Sequence, residues 1–175
     1  MAANWTAFVA GNVLTAAQLN GVVDNFADIA IFNETQSSGT NGGASTTGSY
    51  IKRTLNTTVI NNITGCSIAS SVITLPAGTY QIAALCPTFA TNVNRARLYD
   101  TTNSAVLVQG QNCSAASGNN VFNSAPVTGS FTLAGSTNIE LQHRFQTAQA
   151  TNGLGGACSF GDDEVYAEIM IRRLA

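Results

Sequence analysis

The sequence predicts a mainly β protein: an antiparallel jelly-roll sandwich preceded by a short N-terminal helix. Three observations carry this. From Tyr50 onward the chain is a succession of short segments of partly alternating polarity, punctuated by Gly, Pro, Asn and Ser. That is the pattern of strands joined by tight turns rather than of βαβ units. Only 9% of the 175 residues are charged, while Ser, Thr and Asn supply 53 of them, so hydroxyls and amides must cover the surface. Finally, one amphipathic run with helical spacing lies near the N-terminus. Apolar residues reach 45%, which is not the composition of a disordered chain, and the length suits one domain with a core plus a short appendage.

The elements follow in order. Residues 1–14 form an uncapped leader containing Trp5, Phe8, Val9 and Leu14. At Thr15 a helix signature begins, with Gln18 completing a capping-box pattern. Leu19, Val22, Val23, Phe26 and Ile29 fall on one helical face, and Asn20, Asp24, Asn25 and Asp28 lie opposite. A helix of three or four turns is marginal alone, so this stripe needs a packing partner. Residues 36–49 are a low-complexity run of Ser, Thr, Gly and Asn that reads as a loop or flexible connection. The domain limits expected from this are 1–32 for the leader and helix, 33–49 for the connection and 50–175 for the sandwich.

Within the last part, Ile51–Val59 alternates partly, and Ser71–Leu75 ends at Pro76-Ala77-Gly78. Thr79–Cys86 follows that turn. Arg95–Tyr99 and Ala105–Gln109 flank Asp100–Asn103 as a hairpin, and Val127–Leu133 and Asn138–Gln146 flank Ala134-Gly135-Ser136 as a second. Glu164–Leu174 closes the chain, with Val165, Ala167, Ile169 and Ile171 alternating against Tyr166, Glu168, Met170 and Arg172. About eight strands in about 125 residues match a jelly roll.

Composition excludes several functions. The net charge of −2, with seven Lys and Arg in all, provides no basic stripe to neutralise phosphates, so no nucleic-acid partner is expected. No run of eighteen apolar residues exists, so membrane insertion is not expected. The first thirty residues carry no basic-then-apolar secretory signal. Cys66, Cys86, Cys113 and Cys158 lie far apart, and no C-x-x-C is present. Free thiols are expected, with one disulfide open in an oxidising setting, and neither a zinc site nor any other metal or cofactor is expected.

Catalytic chemistry finds no foothold either. Any acyl-transfer triad must use His143, the one histidine in the sequence. Strand alternation places His143 with Ile139, Leu141 and Phe145, the setting of a packed core histidine. Asp162-Asp163-Glu164 could offer hard oxygen ligands to a cation, but the spacing is that of a solvated turn before the last strand. Gly153-Leu154-Gly155-Gly156 lacks the Lys-Ser/Thr of a phosphate loop and reads as backbone turning between strands. No enzyme activity is expected.

Two stretches carry a resemblance. Trp5-Thr-Ala-Phe8-Val-Ala-Gly11-Asn-Val-Leu14-Thr-Ala-Ala-Gln-Leu19-Asn20 resembles the N-terminal segment of bacteriophage tail-fibre and virion-appendage proteins. The resemblance implies a particle anchor at Trp5, Phe8, Leu14, Leu19 and Asn20. Across residues 50–175, Arg53-Thr-Leu-Asn56, Ile73-Thr-Leu-Pro-Ala-Gly-Thr-Tyr80, Ala96-Arg97-Leu98-Tyr99, Gly129-Ser-Phe-Thr-Leu133, Glu140-Leu-Gln-His143 and Glu164-Val-Tyr166 are similar, in order, to phage proteins with a C1q/TNF-like jelly roll. That resemblance implies a homotrimer. No collagen-like Gly-X-Y run precedes these residues, so kinship to animal complement proteins is not implied. The expectation is a phage virion structural protein, made in the host cytoplasm and exposed on the particle, that contacts other virion proteins through residues 1–32. A host-receptor module for a surface glycan or protein is the alternative, and a polysaccharide-degrading enzyme stands behind it.

Overall fold

The computed structural model describes residues 28–174 together with Gly11, Val13, Thr15 and Ala16. Alternating burial builds its strands. In chain order they are β1 (Ile29–Gln36), β2 (Ile51–Lys52), β3 (Thr57–Asn61), β4 (Ser67–Ala69), β5 (Val72–Leu75) and β6 (Gly78–Phe89). Then follow β7 (Asn92–Asp100), β8 (Ala105–Gln109), β9 (Cys113–Ala115), β10 (Phe122–Leu133), β11 (Thr137–Phe145) and β12 (Glu164–Arg173). One sheet has the order β10-β6-β12-β1-β3 and the other β4-β5-β11-β7-β8, with β2 added to β11 and β9 to β7. All strand pairings are antiparallel.

The core is the slot between the sheets. Ala30, Phe32, Ile82, Ala84, Val127, Ile169 and Ile171 face inward from the five-stranded sheet, and Ile73, Leu75, Leu98, Ile139 and Leu141 meet them from the other. Each large aliphatic side chain buried here contributes roughly 1.5–3 kcal/mol. This is the jelly-roll sandwich that the alternation predicts.

Several expectations need correcting. Ile29 does not stand on a helix: it opens β1 and pairs with Arg172. Ala30 and Phe32 point inward while Ile29 and Ile31 do not, a period of two that the helical spacing masked. The sandwich therefore begins before residue 32, and residues 33–36 continue β1 rather than starting a connection. Residues 51–59 are not one strand, because β2 joins β11 in one sheet and β3 joins β1 in the other. β10 and β11 do not form a hairpin. β10 pairs with β6 and β11 with β5 and β7, so residues 134–136 carry the chain across the core. The inward side chains of both strands are served better by facing each other across the slot than by lying side by side.

In β12 the alternation shifts: Val165 is exposed, whereas Tyr166 and Ala167 are both buried, opposite an irregularity at Asn33/Thr35 of β1. The loop after β1 is tied to the domain at Gly42, whose N–H donates to the Gly155 carbonyl, and at Ser45, whose N–H donates to that of Gln149. Trp5, Phe8, Leu14, Leu19 and Asn20, and the helix-face residues Val22, Val23 and Phe26, lie outside the described residues.

Candidate functional site

The interior holds the strongest polar cluster, and it is structural. The position of Arg53, in step with Ile51 and Leu55, sends it into the core with no exposed surface. Its Nη1 donates to the Pro87 carbonyl at 3.0 Å, and its Nη2 donates to the Leu154 carbonyl at 2.8 Å and lies 3.4 Å from the Glu34 carboxylate. Burial pushes Arg53 below its ordinary value; Cys86 and Glu34 oppose this. Burial pushes Glu34 up against the pull of Arg53. The pair ties β1, β6 and the 153–156 loop together. Sequence reasoning missed this role, although its signal was the period-two match with Ile51 and Leu55.

His143 is also fully buried. Its Nε2 donates to Asn94 Oδ1 at 3.0 Å, and its ring lies 4.1 Å from that of Phe145. Burial, then the charge of Arg53, holds the imidazole well below its usual 6.5. That geometry holds a neutral ring in the core, packed on Phe145 and bonded to an amide oxygen.

Glu164 accepts N–H bonds from Gly39, Cys158 and Ser159 at 2.8–3.0 Å, which hold its carboxyl below the usual carboxylate range. Its oxygens thus pin a loop, while Asp162 and Asp163 are exposed. Among the described residues no group of three or more His, Cys, Asp or Glu could hold a metal. The four cysteines are free, from buried Cys86, whose thiol burial pushes up to about 12, to exposed Cys158. The 153–156 stretch does more than turn: Gly155 has φ +130°, and a Cβ there would lie 2.4 Å from the Tyr166 ring.

The outer faces differ. On the five-stranded sheet one row runs Ile60, Ile31, Met170, Ala83 and Thr128 across all five strands. Beside it Leu85 faces Pro126, and further along Phe89 faces Phe122, their rings 4.6 Å apart. Leu85 is 51% exposed, Phe122 58% and Met170 38%. Glu168 and Arg172 stand either side of Met170 on β12, and a shallow groove of about 400 Å³ runs between Ile29, Ala83, Thr128 and Met170.

On the seven-stranded sheet the outer face is mixed: exposed Val93 and Val106 stand beside Lys52, Arg95, Arg97 and Arg144, four of the chain's seven Lys and Arg. Arg97 lies between the rings of Tyr50 and Tyr99, 3.7 and 4.4 Å from their centroids, and donates to Gln142. Gln142 in turn donates to Glu140, which sits 3.8 Å from Lys52.

Murine APRIL at pH 8.0 is similar over 82% of this chain and 98% of its own, with 11% identity and a TM-score of 0.52. The globular domain of zebrafish complement 1qA is similar over 83% and 98%, with 11% identity and a TM-score of 0.51. The fold is therefore a C1q/TNF-like jelly roll. No family model matches the sequence. No curated protein matches it either.

Proposed function

We propose that this chain is a non-catalytic structural module of a bacteriophage virion appendage (tail fibre, tip or head fibre). It works as a homotrimer closed through the outer face of the five-stranded sheet. The segment before β1 anchors it to other virion proteins, and the module is made in the host cytoplasm and exposed on the particle. The observation that carries the assembly is the apolar row of Ile60, Ile31, Met170 and Ala83, with Leu85 beside it. Ile31, Ile60 and Ala83 are half-buried, Met170 and Leu85 exposed, and such apolar side chains gathered on one sheet face are the pattern of a surface that associates. Rotational closure of such a contact buries the patch on every copy, and the resemblance of residues 50–175 supports three copies.

The virion part rests on the leader pattern at Trp5, Phe8, Leu14, Leu19 and Asn20. Docked Trp and Phe side chains bury large apolar areas, each worth several kcal/mol together with their neighbours. In particles assembled with the double variant Trp5→Ala, Phe8→Ala, occupancy should fall sharply while the Tm of the isolated oligomer holds. Unchanged occupancy contradicts the anchor. A lowered Tm instead places these residues against their own oligomer.

A further inference from the structure

We propose that the groove between Tyr50, β7 and β11 on the outer face of the seven-stranded sheet binds an anionic saccharide, its acidic group held by Arg95 and Arg144. This goes beyond the assembly reading and does not rest on it, because the groove lies on the opposite sheet.

The first observation is a pair of like charges. Arg95 and Arg144 are directly opposed across β7 and β11. Like charges in this position destabilise a sheet. The other cations of this face are provided for: Lys52 has Glu140, and Arg97 has Gln142 and two aromatic rings. Arg95 reaches only neutral groups, donating to Asn112 Oδ1 at 3.3 Å and lying near the Tyr50 hydroxyl. The Arg144 side chain has no hydrogen bond or ion pair among the described residues. An oxyanion between the two guanidinium groups would turn repulsion into paired charge-assisted bonds.

The second observation is the cavity itself. Both arginines line a groove of about 630 Å³ with Tyr50, Asn112, Phe145 and Gln146. Exposed Val93 adds an apolar wall, and the free polar side-chain groups are donors. The amide oxygens of Asn112 and Gln146 accept from Arg95 and from the Val93 N–H, which leaves their NH₂ groups without a partner among the described residues. Burial pushes the Tyr50 hydroxyl up, but hydrogen bonds with Gln109 and Arg95 and the charges of Arg95 and Arg97 outweigh it and hold the group below its ordinary 10.

A donor-rich, open groove fits a ligand rich in acceptors, and a sugar carrying a carboxylate or sulfate has a ring of hydroxyl oxygens around one oxyanion. An acidic peptide fits less well. β7 is paired with β11 on one side and with β8 and β9 on the other, so no free strand edge is offered for augmentation.

Calorimetric titration of the full chain tests this, using trigalacturonate, a sulfated galactan trisaccharide and neutral galactotriose. Saturable binding of at least one charged trisaccharide, absent for the neutral one and weakened by added salt, is expected. Whichever charged sugar binds identifies the oxyanion. Arg95→Gln and Arg144→Gln should each weaken binding roughly tenfold or more, while Lys52→Gln, on the same face but outside the groove, should bind like the parent. The proposal is overturned by no charged sugar binding in the millimolar range, by equal binding of the neutral sugar, by unaltered affinity in the arginine variants, or by a Glu-rich peptide that binds more tightly than either charged sugar.

Discussion

Across the middle of the five-stranded sheet the outward side chains are Ile60, Ile31, Met170 and Ala83; on the seven-stranded sheet the corresponding positions of β11 and β7 hold Arg144 against Arg95 and Gln142 against Arg97. Both rows sit on the same kind of scaffold, a twisted antiparallel sheet whose inner face is packed. What differs is the cost of removing water from each. Covering the first row releases apolar surface, and the two charges that flank Met170, Glu168 and Arg172, are of opposite sign. Covering the second with an apolar partner would desolvate guanidinium groups without compensation. On the proposed reading, one face is covered by further copies of the chain, and the other stays wet and meets an acceptor-rich ligand.

The largest expected effect is on what the two faces share. Arg53→Ala removes the cation that links β1, β6 and the 153–156 loop and leaves Glu34 buried without its partner. It should cost about 3–5 kcal/mol of unfolding free energy, read by denaturant titration, and disturb both faces alike. Loss from one face only would show that the interior does not couple them.

Next in size is a charge on the apolar row. Met170→Glu should weaken association by roughly 3 kcal/mol for each interface it enters, with the circular dichroism of the fold unchanged. The same substitution at Arg144 should leave association intact, which sharpens the contrast between the faces.

His143→Gln should cost about 1–3 kcal/mol, because a buried hydrogen bond to Asn94 is disturbed. The pH dependence has a definite sign. With its folded value held well below 6.5, His143 binds fewer protons in the folded than in the unfolded state. Stability should therefore be full above pH 6.5 and fall below it, by up to about 1.4 kcal/mol per pH unit. The Gln variant should lose that slope. Glu164 adds a loss below its ordinary 4.5, because its carboxyl is held lower by three backbone N–H groups.

The smallest effect is on the cationic row. Arg144→Gln relieves a like-charge opposition and should stabilise the free protein by roughly 0.2–1 kcal/mol. A measurable destabilisation would mean that Arg144 already has a partner in the free protein.

Much of this was legible in the sequence wherever period two was clean. Most of β12 follows from alternation and β8 from the turn signal before it, and the Asp100 carboxylate that accepts bonds from the Asn103 N–H and side chain explains the β7–β8 turn. His143 lies on the buried face that alternation assigns it. What stayed hidden was pairing. Val127–Leu133 and Asn138–Gln146 look like two arms of a hairpin because a turn lies between them, and nothing local distinguishes a turn within a sheet from one that crosses the core. The opposition of Arg95 and Arg144 was invisible for the same reason: 49 positions separate them, and only the β7–β11 register brings them together. The apolar row is likewise a product of register, since Ile31, Ile60, Ala83 and Met170 come from four separate strands.

Sedimentation of the full chain, with one charge placed on each face in turn, tests the central contrast most directly. The account predicts a three-chain mass for the parent at micromolar concentration, a one-chain mass for Met170→Glu and a three-chain mass for Arg144→Glu. A stable one-chain parent, or dissociation by Arg144→Glu with Met170→Glu still assembled, would contradict it.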